Sequence, residues 1–110
     1  MESVENLNLI IPMAGEGKRF LRAGYEEFKP FILINDKPMI KYVTDAFPQS
    51  VRKFVITSRS LLSNKQSDYL KNHLNCNIID IPLHNKGPAF SIFKAKDELP
   101  LSESFFIYTE

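Results

Sequence analysis

An α/β fold, with an open and mostly parallel sheet between two layers of helix, is the architecture this 110-residue sequence predicts. Short apolar runs alternate with segments of helical period along the whole chain, as expected when helices return each strand parallel to the last. The first run, Leu7 to Met13, is almost continuously apolar, which a strand buried on both faces requires. Each of the four glycines, Gly15, Gly17, Gly24 and Gly87, falls at an expected boundary between elements.

After the first strand a short helix is expected over about Gly17 to Arg22, stopping at Gly24. PFILIND, Pro30 to Asp36, reads as a short extended piece ending in a turn, and Pro38 then sits at a favourable first helical position. Ile40, Val43 and Phe47 share one face of the helix that follows. Phe54 to Thr57 predicts the second strand, and Ser60 to Leu74 a helix with Leu62, Gln66, Tyr69, Leu70 and His73 at helical spacing. Asn77 to Ile81 predicts the third strand, closed by Pro82. Gly87 to Leu99 predicts a helix turning Ala89, Ile92 and Phe93 inward, and Ser104 to Tyr108 a fourth strand.

Length and a 44% hydrophobic content fit one domain with one sizeable core. The 14 basic and 13 acidic side chains nearly cancel, so no global field recruits nucleic acid or an anionic membrane. Any anion site must be local. The one cysteine, Cys76, excludes an internal disulfide, and MESVENLNL lacks the basic-then-apolar layout of a secretory signal, so a cytoplasmic address is expected. No apolar run approaches the roughly 18 residues that span a bilayer.

The stretch IIPMAGEGKRF, Ile10 to Phe20, places two glycines in a three-residue window straight after the first strand. The spacing is that of a dinucleotide turn, in which glycines let backbone N–H groups approach a pyrophosphate. The third glycine of that fingerprint is missing, since position 20 is Phe20. Thr57 and Ser58 also stand where an acidic residue should end the second strand, so an NAD site is disfavoured. A phosphate cradle and a tight turn that binds nothing both fit Gly15 and Gly17. Arg19 and Lys29 favour the cradle: a guanidinium grips phosphate oxygens through paired hydrogen bonds, and an ammonium adds a compact charge. Solvated surface charge is the alternative for each.

AGEGKRF followed by KPFILINDKPMIKY resembles the N-terminal signature of the sugar-phosphate nucleotidyltransferases. That pattern runs G-x-G-x-R, a lysine beside a Pro-containing segment, a short strand and a D-K-P-M-I-type helix start. Gly15, Gly17, Arg19, Lys29 and Asp36 to Ile40 fall in that order and spacing. More weakly, HNKGPAF, His84 to Phe90, is similar to the family's G-x-A segment, whose glycine lies against the nucleotide base. FFIYTE ends in Glu110 where members carry a magnesium-binding aspartate, a carboxylate longer by one methylene.

The resemblance implies a Rossmann-like fold, truncated after about the fourth strand, that binds a nucleoside triphosphate with Mg²⁺. In this reading Ala14, Gly15, Glu16, Gly17, Lys18 and Gly87 contact the nucleotide, Arg19 and Lys29 are catalytic, and Glu110 binds the metal. A sugar 1-phosphate oxygen would attack the α-phosphorus and release pyrophosphate, and no nucleophilic side chain is needed. The family's sugar-phosphate segments and second metal carboxylate would lie beyond Glu110, which leaves a noncatalytic nucleotide-binding or assembly module as the alternative. A fourth strand carrying Phe105, Phe106 and Ile107 at an under-covered edge leads us to expect self-association.

Other residues receive plainer readings. His73 is expected to be a satisfied, partly buried histidine, and Cys76 a small apolar residue at a strand start. Glu26 and Glu27 read as a solvated acidic loop, Tyr25 as a packing aromatic, and His84 as a loop residue near Gly87. No paired ligands support a zinc site.

Overall fold

The computed structural model of the chain describes residues 7–14, 19–22, 25–58 and 61–109, with the side chains of all of these except 19–22 and 25–29. Strand β1, Leu7–Pro12, runs through the middle of the molecule. Leu9, Ile11 and Met13 turn to one face and Ile10 and Ala14 to the other, and each is at most 2% exposed. The apolar run is continuous because both faces are covered.

The hairpin that follows replaces the helix expected over Gly17 to Arg22. Strands β2, Arg19–Arg22, and β3, Tyr25–Phe28, pair antiparallel, with Arg19 opposite Phe28 and Arg22 opposite Tyr25. Ala23 and Gly24 separate them in the sequence, a two-residue spacing that suits a tight hairpin, whereas six residues are too few to sustain a helix alone. A 3-10 turn, Lys29–Phe31, leads on to a two-rung ribbon of β4, Leu33–Ile34, and β5, Lys37–Pro38. Between them Asn35 and Asp36 hold φ of 52° and 65°, the left-handed pair of a type I′ turn that Asn and Asp tolerate best.

Helix α1, Met39–Asp45, begins one residue later than expected, with Pro38 as its N-cap, and buries Ile40, Val43 and Thr44. Strand β6, Arg52–Thr57, follows. Helix α2, Asn64–Asp68, opens with a capping box: Ser63 Oγ accepts from Gln66 N–H, and Gln66 Oε1 accepts from Ser63 N–H. It widens into a π turn, Tyr69–His73, that buries Leu70. Strand β7, Cys76–Asp80, is followed by α3, Pro88–Lys94, a 3-10 turn at Lys96–Glu98 and β8, Ser104–Ile107.

All three pairings of the main sheet are parallel and its order is β7-β6-β1-β8. Leu9, Ile11, Val55 and Cys76 face α1 and the α2 segment, meeting Ile40, Val43, Leu70 and Leu74. Ile10, Ile56 and Ile79 face the α3 side, meeting Ala95 and Leu99. The fold is therefore the three-layer, doubly covered open sheet that the alternation predicts. One expected face is corrected. Ala89 and Phe93 of α3 are exposed, Phe93 by 58%, whereas Ser91 and Ala95 are buried and Ile92 is half-buried.

Beneath the amino end of β1, Asn8 Nδ2 donates to Glu103 Oε1 at 3.2 Å and to the Ser104 carbonyl at 3.0 Å, and Glu103 also pairs with Arg52. The Asn8 hydrogen bond, and then Arg52, hold the Glu103 carboxyl below the usual glutamate range. A depressed folded-state value means the interaction stabilises fully above the unfolded-state value and is lost as pH falls through the folded one. A Glu103→Gln chain should therefore melt below the wild type at pH 7, with the gap in Tm closing as the pH is lowered below the ordinary glutamate range. A gap that persists in acid would remove the charge from the account.

Candidate functional site

In a parallel sheet, ligands sit at the carboxyl ends of the strands, where the winding reverses. Here the chain winds outward from β1 to β6 and β7 and then returns to the other side of β1 as β8, so the reversal lies between β1 and β8. β1 delivers Met13 and Ala14 to that edge. Both are buried, and Met13 N–H donates to the Ile56 carbonyl at 2.6 Å, which fixes the strand's exit. Gly15, Glu16, Gly17 and Lys18, expected to contact the nucleotide, lie outside the described residues.

The hairpin gives Arg19 and Lys29 a relationship that their spacing in the sequence conceals. Arg19 is opposite Phe28, so Lys29 directly follows the residue across the ribbon from it. Ten positions apart in sequence, the two basic residues come to the same end of the ribbon. On the other side of the reversal, Tyr108 N–H donates to the Ile10 carbonyl at 3.0 Å, carrying the chain after β8 to the same edge. Glu110, two residues on, lies outside the described residues. Among the described residues no group of three His, Cys, Asp or Glu could hold a metal ion.

The segment from Pro82 to Gly87 reaches the same edge. His84 N–H donates to the Ala14 carbonyl at 3.4 Å, so this segment is tied to the residue preceding the glycine turn. The His84 ring is buried against Phe90, edge to face, at 4.7 Å between centroids. Lys86 N–H donates to Nδ1 at 3.0 Å, which leaves the proton on Nε2 to be donated to Ser91 Oγ at 2.7 Å. In that tautomer the imidazole cannot take a proton from Ser91, so the pair is an anchor and not a nucleophile with its base. His84, Lys86, Phe90 and Lys94 line a cavity of about 420 Å³, with the Lys86 and Lys94 ammonium groups 4.9 and 6.0 Å from the Phe90 ring centre. An aromatic wall beside two cations can hold a flat, anionic ligand.

Gly87 begins α3 at φ 86° and ψ 171°, a region that only glycine occupies without strain. An added Cβ would meet nothing within 4 Å, so the constraint is conformational alone. Gly87→Ala is expected to cost about 1–3 kcal/mol in urea unfolding and to loosen the His84 segment. An unchanged midpoint would show that the backbone is not held there.

Sequence reasoning named Ala14 and Gly87 separately as nucleotide contacts, and it did not name Ser91, Phe90 or the two lysines as such. Phe90 and Lys94 carried a signal, their four-residue spacing on one helix. The His84 and Ser91 pair carried none, because a loop and a helix bring it together. His73 departs from its expected partial burial: it is exposed, and its ring stacks on Tyr69 at 5.0 Å. Cys76 is a buried strand-start residue as expected, and burial pushes its thiol up to about 11.

Two UTP--glucose-1-phosphate uridylyltransferases, from two strains of Staphylococcus epidermidis, are each 29% identical to this chain over 99 residues. The match covers 89% of this chain and 33% of each relative, so the chain spans about a third of their length. No family model and no solved structure matches. In sequence, then, this chain is weakly similar to part of a nucleotidyltransferase.

Proposed function

We propose that this chain is the nucleoside-triphosphate-binding part of a nucleotidyltransferase that transfers a nucleoside monophosphate to a sugar 1-phosphate and releases pyrophosphate. The observation that carries the reading is the convergence at the carboxyl end of β1. The exit toward the glycine turn, the His84 segment bonded to Ala14 and the run out of β8 all meet at the sheet's reversal. The similarity to the staphylococcal enzymes makes UTP and glucose 1-phosphate the first substrates to test.

In this reading the backbone of Ala14 to Lys18 wraps the triphosphate, and Arg19 and Lys29 neutralise its charge. The cavity lined by Phe90 and Lys86 receives the base, with Gly87 bringing backbone close to it. Charge stabilisation and in-line positioning do most of the work, as in other phosphoryl transfers. Bound Mg²⁺ would supply further neutralisation of phosphate oxygens. This ion is usually held by one or two carboxylates, phosphates and water. Glu110 is the carboxylate we assign to it.

The test is a pyrophosphate-release assay with nucleoside triphosphate, Mg²⁺ and a panel of sugar 1-phosphates, run beside equilibrium binding of the triphosphate. Release establishes the transferase. Binding without release establishes the nucleotide-binding module instead, and absence of binding to any triphosphate rejects both.

Self-association is the second part of the proposal. β8 is a sheet edge whose Phe105, Phe106 and Ile107 are 38%, 50% and 47% exposed, and an apolar edge of this kind is a template for another strand. Sedimentation velocity should show a concentration-dependent dimer that Phe106→Lys dissolves. A monomer at high concentration would reject it.

A further inference from the structure

A second cavity, of about 250 Å³, opens at the opposite end of the sheet, where β6 begins between α1 and the end of the π turn. Lys53 in its lining is 5% exposed. Its ammonium donates to the Val51 carbonyl at 3.2 Å, and among the described residues no carboxylate lies within ion-pair reach. An ammonium has three donors, and removing a cation from water without a counter-charge is costly.

The one carboxylate in the lining, Asp45, is already shared by two cations, Lys37 at 2.9 Å and Lys41 at 3.1 Å. Those hydrogen bonds hold its carboxyl below the usual aspartate range. The trio is therefore net positive before Lys53 is added. Thr44, Gln49, His73 and Asn75 complete the polar lining, and each can donate a hydrogen bond. The volume falls below the ~300 Å³ at which pockets for drug-sized ligands begin, so it suits a small ion.

We propose that this cavity is an oxyanion site that takes phosphate or a small phosphomonoester on the Lys53 ammonium, with Lys41 and His73 beside it. Lys53 is opposite Leu9, and at ~3.3 Å per residue Ala14 lies roughly 16 Å further up the sheet, so this site is separate from the one at the glycine turn.

The chain's two histidines report the two sites separately, since His73 lines this cavity and His84 the other. Inorganic phosphate and glycerol 1-phosphate are titrated in separate series at constant pH and ionic strength, and the imidazole carbon–proton correlations are followed by NMR. The His73 signal should move and saturate while that of His84 stays still; the probe that saturates at lower concentration identifies a free or an esterified occupant. Lys53→Met, which keeps the buried stem and removes the charge, should abolish the saturation, and Lys41→Gln on the helix surface should weaken it several-fold. A His73 signal that is still, drifts without saturating, or responds equally in Lys41→Gln overturns the proposal, as does a shift confined to His84.

Discussion

Arg19→Ala and Lys29→Ala should each weaken nucleoside triphosphate binding about ten- to a hundredfold, with the thermal midpoint little changed. A hydrogen bond to a charged group contributes about 1.5–3 kcal/mol, and each 1.4 kcal/mol is a factor of ten in affinity. The hairpin register sharpens the prediction. With Arg19 opposite Phe28, the two positions share one end of a ribbon, and in the proposed reading both charges serve one stretch of phosphate. The double variant should then lose less than the sum of the single losses, because neighbouring groups on one ligand are coupled. Isothermal titration with UTP measures all three. Affinity unchanged in both single variants would make these residues surface charge and leave the glycine turn without its cations.

The second large effect concerns stability. Ile10→Ala should reduce the unfolding free energy by about 2–5 kcal/mol, a large part of the ~5–15 kcal/mol available to a domain of this kind. Ile10 is fully buried beneath the α3 side, with Phe54 beside it on β6 and Ile107 on β8. Truncation leaves a cavity that rigid parallel strands on both sides cannot close. Urea unfolding followed by circular dichroism reads the change, and a loss under about 1 kcal/mol would mean that the α3 layer is not tightly packed on the sheet.

The central strand β1 was legible because burial on both faces writes itself as an apolar run, and a run of that kind has few other uses. Leu7 to Met13 needed no further context. RFLR and YEEF were different: at four residues each, their periodicity does not separate helix from strand, and pairing between them decides. The face of α3 was misread for a physical reason. Apolar character favoured Ala89 and Phe93, but Ser91 and Ala95 are small enough to let the helix lie close to the sheet. Ser91 is buried at no cost because His84 satisfies its hydroxyl. Phe93 faces out and stays exposed, with the Lys96 ammonium 4.2 Å from its ring centre.

The candidate site was legible in its parts and not in its assembly. Ala14 and Gly87 could be named from motifs, whereas the bond from His84 to Ala14 that joins their segments depends on how the loop after β7 returns across β6. Lys53 was invisible for the opposite reason. A lysine inside a strand reads as surface charge until the covering helices are in place.

The position of β1 also sets a timetable. Its neighbour β8 is closed by contacts such as Asn8 to Ser104, 96 positions apart, so β1 waits for a strand far along the chain. Parallel pairings over such separations incur the chain-closure entropy before any contact rewards it, which makes them slow to form. During synthesis, β6 and β7 can assemble on β1 while its other side still awaits β8. The pairing of β8 with β1 is therefore the step expected to limit assembly of this four-stranded sheet.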